Sequence, residues 1–353
     1  MKRFLLFLII SLVAASHAHA ATTCIKFGLI TSFDPADFDR AHKSDANYKS
    51  PVPDAAEVPS QYSDLLNGAY NIASATVQAQ ICKLDYVFVA MDKNANHKWE
   101  PMGVWEPKSR DKGLHFIAIP SDWLDAILQN NESLADEENG LYTRLFKTNV
   151  KFSYFSDTGG KPTPVTAKPT AALAIMAHEL GHVVLAATNA DGRWYQQNHP
   201  YGDERPWPPP PFALPDTCFD TAAFLTVWDA KIFHSNHQRR WVKFGDQGEP
   251  NANKYLDQNI AFATLNSQIN SGTTTMMNYL YRAGGLASMF ASGTPEEDFV
   301  ETFKYYALST ATTHPDLTIA GITNAVSRVQ PGAGELGTKV NCILTLLPTQ
   351  PVR

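Results

Sequence analysis

Five consecutive residues, His178-Glu179-Leu180-Gly181-His182, have the types and spacing to hold a metal ion and to move a proton beside it. On a helix, positions i and i+4 lie one above the other on the same face, so both histidines can direct a ring nitrogen at one cation. Glu179, next to the first histidine, is placed to act as general base toward a water activated by that cation. The surrounding stretch, residues 171–188 (AALAIMAHELGHVVLAAT), is apolar on almost every side. Such a run belongs in a core, where two imidazoles and a carboxylate without compensation would be costly. A bound metal supplies that compensation. A chance match would fit a polar surface helix better than this one.

Zinc held for catalysis needs a third protein ligand and keeps one position open for water. Residues 293–306, GTPEEDFVETFKYY, offer that ligand. Thr294 has the chemistry of an N-cap, Pro295 suits the first helical position, and acidic residues fill the first turn. Glu297 and Glu301 stand four apart and share a face, which Lys304 extends. Taken alone, this is an ordinary capped surface helix with Glu297 closing a capping box on Thr294. Beside an H-E-x-x-H, the paired carboxylates acquire a chemical use. Glu204 is a rival for the ligand position, nearer to His182 in sequence, but it sits in NHPYGDERP without a second carboxylate one turn on.

HELGH followed far downstream by E-D-F-V-E resembles the gluzincin branch of zinc metallopeptidases. Within that branch it is similar to the group containing the anthrax-toxin lethal factor and exported zinc peptidases with an E-x-F-A-E-like helix. The resemblance covers the two motifs rather than the whole chain. It implies an α+β, zincin-like fold in which a mixed sheet supports the active-site helix. It also implies Zn2+ bound by His178, His182 and Glu297, with Glu301 steadying a ligand histidine and Glu179 as general base. The implied reaction is hydrolysis of peptide bonds in a protein or peptide substrate. The long interval from His182 to Glu297 then implies an inserted subdomain. Phe290 departs from the pattern, because relatives tend to carry a tyrosine seven residues before the glutamate ligand. An oxyanion donor would have to come from elsewhere, with Tyr279, Tyr281, His199 and His237 as candidates. The metzincin pattern is excluded, since Leu185 and Thr188 replace its glycine and third histidine. Two readings stay open: an active exported endopeptidase, and a catalytically weak or inactive zincin-fold binding or toxin-like module. The intact Glu179 favours the first.

The rest of the chain has to position these groups. Residues 1–20 read as a signal peptide: Lys2 and Arg3, an apolar run over 4–13, and Ala18-His19-Ala20 as an A-x-A cleavage site. The apolar run is too short for a permanent membrane span, and no later stretch looks transmembrane, so a secreted or periplasmic protein is expected. The four cysteines, Cys24, Cys82, Cys218 and Cys342, suit an oxidising compartment, and the favoured pairing is Cys24–Cys82 with Cys218–Cys342. A net charge of −6 without a basic run argues against a nucleic-acid partner. A monomer is expected.

A chain of 353 residues usually divides, here into residues 21–190, with the sheet and the motif helix, and 191–353, mostly helical and carrying the third ligand. Strands are expected at 24–33, 84–91, 114–119 and 150–156, and helices at 63–79 and 121–129, with a loop over 34–61. The motif helix is expected to begin after a break at Pro169, with Thr170 as its N-cap. Asp92, Asn94 and Asn96 resemble the start of a calcium loop, but His97 and Gly103 stand where a glycine and a glutamate belong, so a hairpin turn is expected. Residues 189–215 end in PWPPPPFALP, which favours polyproline II. Helices are expected at 217–235 and 253–270, and Gly284-Gly285 closes a further helical or turn region.

Overall fold

The computed structural model describes residues 24–31, 53–91, 101–105, 114–130, 133–145, 155–157, 164–188, 218, 285–288, 291, 295–319 and 324–347. Strands β1 (Phe27–Ile30), β2 (Tyr86–Ala90) and β4 (His115–Pro120) are apolar almost throughout, the pattern of strands covered on both faces. They form a parallel array in which Val87 pairs with Phe27 and with Ile117. β3 (Met102–Trp105) closes one edge antiparallel to β4, giving the order β1-β2-β4-β3. One face sends Leu29, Val87, Val89, Ile117 and Ile119 into the main core. On the other face, Ile30, Phe88, Phe116 and Ala118 form a second cluster. There Phe88 meets Phe116 edge-on with ring centroids 5.3 Å apart. Gly28 makes room for Phe88, because a methyl at Gly28 would come within 2.5 Å of that ring.

Helices pack on the sheet's main face and around one another. They are α1 (Ser60–Ile72), α2 (Ala75–Ile81), α3 (Ser121–Asn130), α4 (Leu134–Leu145), α5 (Pro164–Thr188), α6 (Pro295–Ser309) and α7 (Glu335–Leu346). A second, two-stranded sheet pairs β5 (Phe155–Asp157) antiparallel with β6 (Leu317–Ile319). The class is α+β. α5 is the hub, with contacts to α1, α4, α6, β3 and β4. Ala171 through Ala177, Leu180 and Val183 through Leu185 are buried. Residues 167–186 of this helix are long and apolar enough to cross a bilayer by length and composition, but 78% of that window is buried inside the protein.

Two disulfides close the covalent frame, Cys24–Cys82 and Cys218–Cys342, with Cα atoms 5.3 and 5.8 Å apart. They fit an oxidising compartment.

Several expectations need correction. The motif helix begins at Pro164 and carries Pro169 inside it, so Pro169-Thr170 is neither break nor cap. At the sixth helical position this proline removes one backbone hydrogen bond, the one an N–H there would make to the Val165 carbonyl. Its ring packs beside Gly68 of α1, and Thr170 is buried with Oγ1 3.4 Å from that of Thr313. The helix expected over 63–79 is two helices, broken at the extended residues Ala73 and Ser74. The Ile72 carbonyl accepts from the Thr312 N–H at 2.8 Å, a bond that a continuous helix would have made to its own next turn. The strands expected at 84–91 and 114–119 are not the two arms of a hairpin: among the described residues β2 pairs with β4 in parallel, and β3 pairs with β4 rather than β2. The strand expected at 24–33 is described over 27–30, and that at 150–156 over its last two residues as part of β5. The signal segment, Asp92, Asn94, Asn96 and His97, the proline-rich stretch and the helices expected at 217–235 and 253–270 lie outside the described residues, apart from Cys218.

Candidate metal centre

The H-E-x-x-H stretch lies midway along α5, and both neighbours approach its backbone closely. Gly181 faces α6, where a methyl group would stand 3.1 Å from Val300 Cα, 3.2 Å from its Cγ1 and 3.3 Å from its carbonyl oxygen. Glycine in a helix interior costs about 1 kcal/mol relative to alanine, and here the return is near-contact of two helix backbones. On another side, β3 lies against α5 at Gly103, where any side chain would collide with the Glu179 carbonyl. The motif is therefore wedged between β3, which gives up a side chain at Gly103, and α6, for which the motif itself gives one up at Gly181.

That approach brings Glu297 to the histidines. Its Oε2 lies 3.7 Å from His178 Nε2 and its Oε1 3.9 Å from His182 Nε2. The two imidazole centroids are 5.1 Å apart with planes at 74°. One ligating atom from each of His178, His182 and Glu297 fits within 4.8 Å, and the three could hold a metal ion. All three side chains are partly exposed, at 15%, 20% and 21%. Glu179 is buried, at 5% exposure, and its charge acts on His178.

Behind this face, the structure is densely polar. His178 Nδ1 lies 2.8 Å from Glu301 Oε1. With the proton on Nδ1 donated to this carboxylate, Nε2 is the nitrogen left facing Glu297. Glu301 is fully buried and accepts from Ser288 Oγ at 2.5 Å and from Lys304 Nζ at 3.2 and 3.4 Å. Lys304 also pairs with Glu138 of α4, whose second oxygen accepts from the Tyr305 hydroxyl at 3.0 Å. Ser288 is held in turn by its chain segment. The Gly285 carbonyl accepts from Lys339, and the Leu286 and Ala287 carbonyls accept from Arg328. Lys339 also forms a buried ion pair with Asp298 at 2.6 Å, tying α7 to the residue after Glu297.

The electrostatics follow from these contacts. Burial by itself would push Glu301 up, but the Lys304 ammonium, the His178 ring and the Ser288 hydroxyl bring it down to about 2. Burial works against a charged His178, yet its bond to Glu301 and the charges of Glu179, Glu297 and Glu301 outweigh this and raise it above the ordinary imidazole range. Burial raises the Glu138 carboxyl, with Lys304 opposing.

Of the residues singled out from sequence, His178, Glu179, His182, Glu297 and Glu301 lie together on α5 and α6. Glu204, Phe290, Tyr279, Tyr281, His199, His237 and Thr294 lie outside the described residues. Sequence reasoning missed Gly181 as a packing residue, although a glycine inside an apolar helix signals close approach. It noticed Lys304 only as an extension of the glutamate face, and Glu138 and Ser288 carried no local signal at all. Protein-family models, curated proteins and solved structures contain no match to this chain.

Proposed function

We propose that this chain is an exported zinc-dependent metalloendopeptidase with a zincin-like fold of the gluzincin type. The observation that carries the proposal is the convergence of His178, His182 and Glu297 within 4.8 Å, from helices far apart in sequence. The donor set fits the metal. Two imidazole nitrogens and one carboxylate are a zinc combination that recurs in hydrolases, and bonds of about 2.0–2.1 Å at tetrahedral angles place donors about 3.4 Å apart. Glu297 offers a different oxygen to each ring, Oε2 at 3.7 Å from His178 and Oε1 at 3.9 Å from His182. The three donor atoms together fit within 4.8 Å, so the side chains have to draw inward to ligate one ion.

When bound there, zinc supplies a Lewis acid that makes water acidic near neutral pH and polarises a carbonyl oxygen. The chain's own residues do the rest. Glu301 keeps the His178 ring oriented by accepting from Nδ1. The Glu179 carboxylate takes the proton of the attacking water and delivers it to the amine nitrogen that leaves when the amide bond breaks. Burial keeps Glu179 away from competing solvent. The two disulfides and the leader-like N-terminal sequence support export.

Glu179→Gln tests the assignment. It should retain zinc, because the ligands are intact, and lose hydrolysis of casein or a peptide library. Normal cleavage by that variant would refute the mechanism, and a wild-type chain that takes up no zinc would refute the metal centre.

A further inference from the structure

The interior behind the histidines holds more charge than ligation requires. Glu138 is fully buried and Lys304 is 2% exposed, on helices that also give Leu134, Phe299 and Phe303 to the main core. A buried ion pair is poor at stabilising a fold, since well-packed apolar replacements are often neutral or better. This pair nevertheless stands in line with the metal centre. Lys304 Nζ reaches both oxygens of Glu301 on one side and Glu138 on the other. Glu138 is itself anchored by the Tyr305 hydroxyl at 3.0 Å. The line runs across three helices, from Glu138 on α4 through Lys304 and Glu301 on α6 to His178 on α5.

Each link has a geometric consequence. Glu301 must present Oε1 to His178 Nδ1 at 2.8 Å while Oε2 accepts from Ser288. A carboxylate held by only those two donors can still rock about its last torsion, which is soft. The ammonium of Lys304 bridges both oxygens and holds the carboxylate plane. Lysine has a flexible stem, so it needs its own restraint, and Glu138 supplies one from the opposite side.

We propose that the Glu138–Lys304 pair is a positioning device for the metal centre, holding Glu301 so that the His178 ring keeps Nε2 aimed at the cation. This rests on the metal-centre reading above. The competing explanation is a plain structural staple between α4 and α6.

The test uses the full chain and reads zinc affinity by chelator competition, the visible spectrum of the cobalt-loaded protein, and unfolding in denaturant. Glu138→Gln with Lys304→Gln removes both charges of the pair together and leaves Glu301 with only Ser288 and His178 as its partners. The double variant should bind zinc about tenfold more weakly and shift the cobalt spectrum, as removal of an outer hydrogen-bond partner does. Introduced beside Glu301→Gln, the same two changes should weaken zinc no further, because their effect passes through Glu301. A staple predicts lost stability with unchanged zinc affinity, or an equal affinity loss in both backgrounds, and either result overturns the proposal. Should the double variant not fold, Tyr305→Phe decides instead, since it removes only the hydroxyl that anchors Glu138. Weaker zinc binding that disappears as an effect beside Glu301→Gln supports the device, and wild-type affinity overturns it. A wild-type chain that takes up no zinc would be seen before any variant is made, and would mark failure of the metal-centre reading itself.

Discussion

Gly181→Ala is the most searching perturbation of this centre, because it changes no ligand and adds one methyl group. That methyl would meet Val300 Cα at 3.1 Å, Cγ1 at 3.2 Å and the carbonyl oxygen at 3.3 Å, where ordinary carbon contacts run at about 3.5–4.0 Å. Two of the three atoms are backbone, so rotating a side chain does not relieve the contact, and α6 has to move off α5 by several tenths of an ångström. Overpacking of this kind costs about 1–3 kcal/mol, against which alanine recovers about 1 kcal/mol of helix propensity. The net loss of stability should lie between about zero and 2 kcal/mol. The loss at the metal centre should be larger in proportion. Glu297 is less than one turn before Val300, already 3.7 and 3.9 Å from the two imidazole nitrogens, and would be carried away from both. Zinc affinity should fall by about tenfold or more, comparable to losing an outer-sphere partner. Chelator competition and denaturant unfolding on the same preparation separate the two quantities. Val300→Ala as a second change should restore little, since it clears only Cγ1. A Gly181→Ala protein that is more stable than wild type and binds zinc equally well would refute the claim that backbone contact here sets the position of Glu297.

The ligand assignment predicts that His178→Ala, His182→Ala and Glu297→Ala each abolish most bound zinc, while Glu301→Ala lowers affinity about 10–100-fold. Metal analysis showing the reverse order for the two glutamates would move the ligand by one turn. Zinc must displace the proton from His178, whose pKa is raised, so affinity should climb with pH through and above the ordinary imidazole range. A flat affinity from about pH 5 to about pH 8.5 would contradict this. In the metal-free protein the signs differ. The stability from His178 is present below its unfolded value and lost as pH rises through the raised one. That from Glu301 is present above its unfolded value and lost as pH falls toward about 2. Thermal melts across pH should therefore show greatest metal-free stability between the unfolded values, 4.5 and 6.5. Non-reducing peptide mapping should find Cys24–Cys82 and Cys218–Cys342. These span 58 and 124 residues, so each should contribute about 4–5 kcal/mol by chain entropy, and reduction should lower the denaturant midpoint.

What the sequence determined by itself is what depends on neighbours along the chain. The 3.6-residue repeat of a helix is enough to put His178 over His182 and Glu297 over Glu301. Pro295 marks the start of α6, and unbroken apolar runs mark β2 and β4. The same reasoning failed where a distant partner overrode local preference. Ile72 gives its carbonyl to Thr312, which splits one expected helix into two, and Pro169 sits inside a helix because Gly68 leaves room for its ring. Tertiary structure alone decided that α6 lies against α5 at Gly181, and so that Glu297 faces the histidines at all. It also decided that Glu138, 167 positions before Tyr305, shares a buried charge network with Lys304. No periodicity encodes such pairs, because their energy comes from desolvation and from charges brought together only when the chain closes.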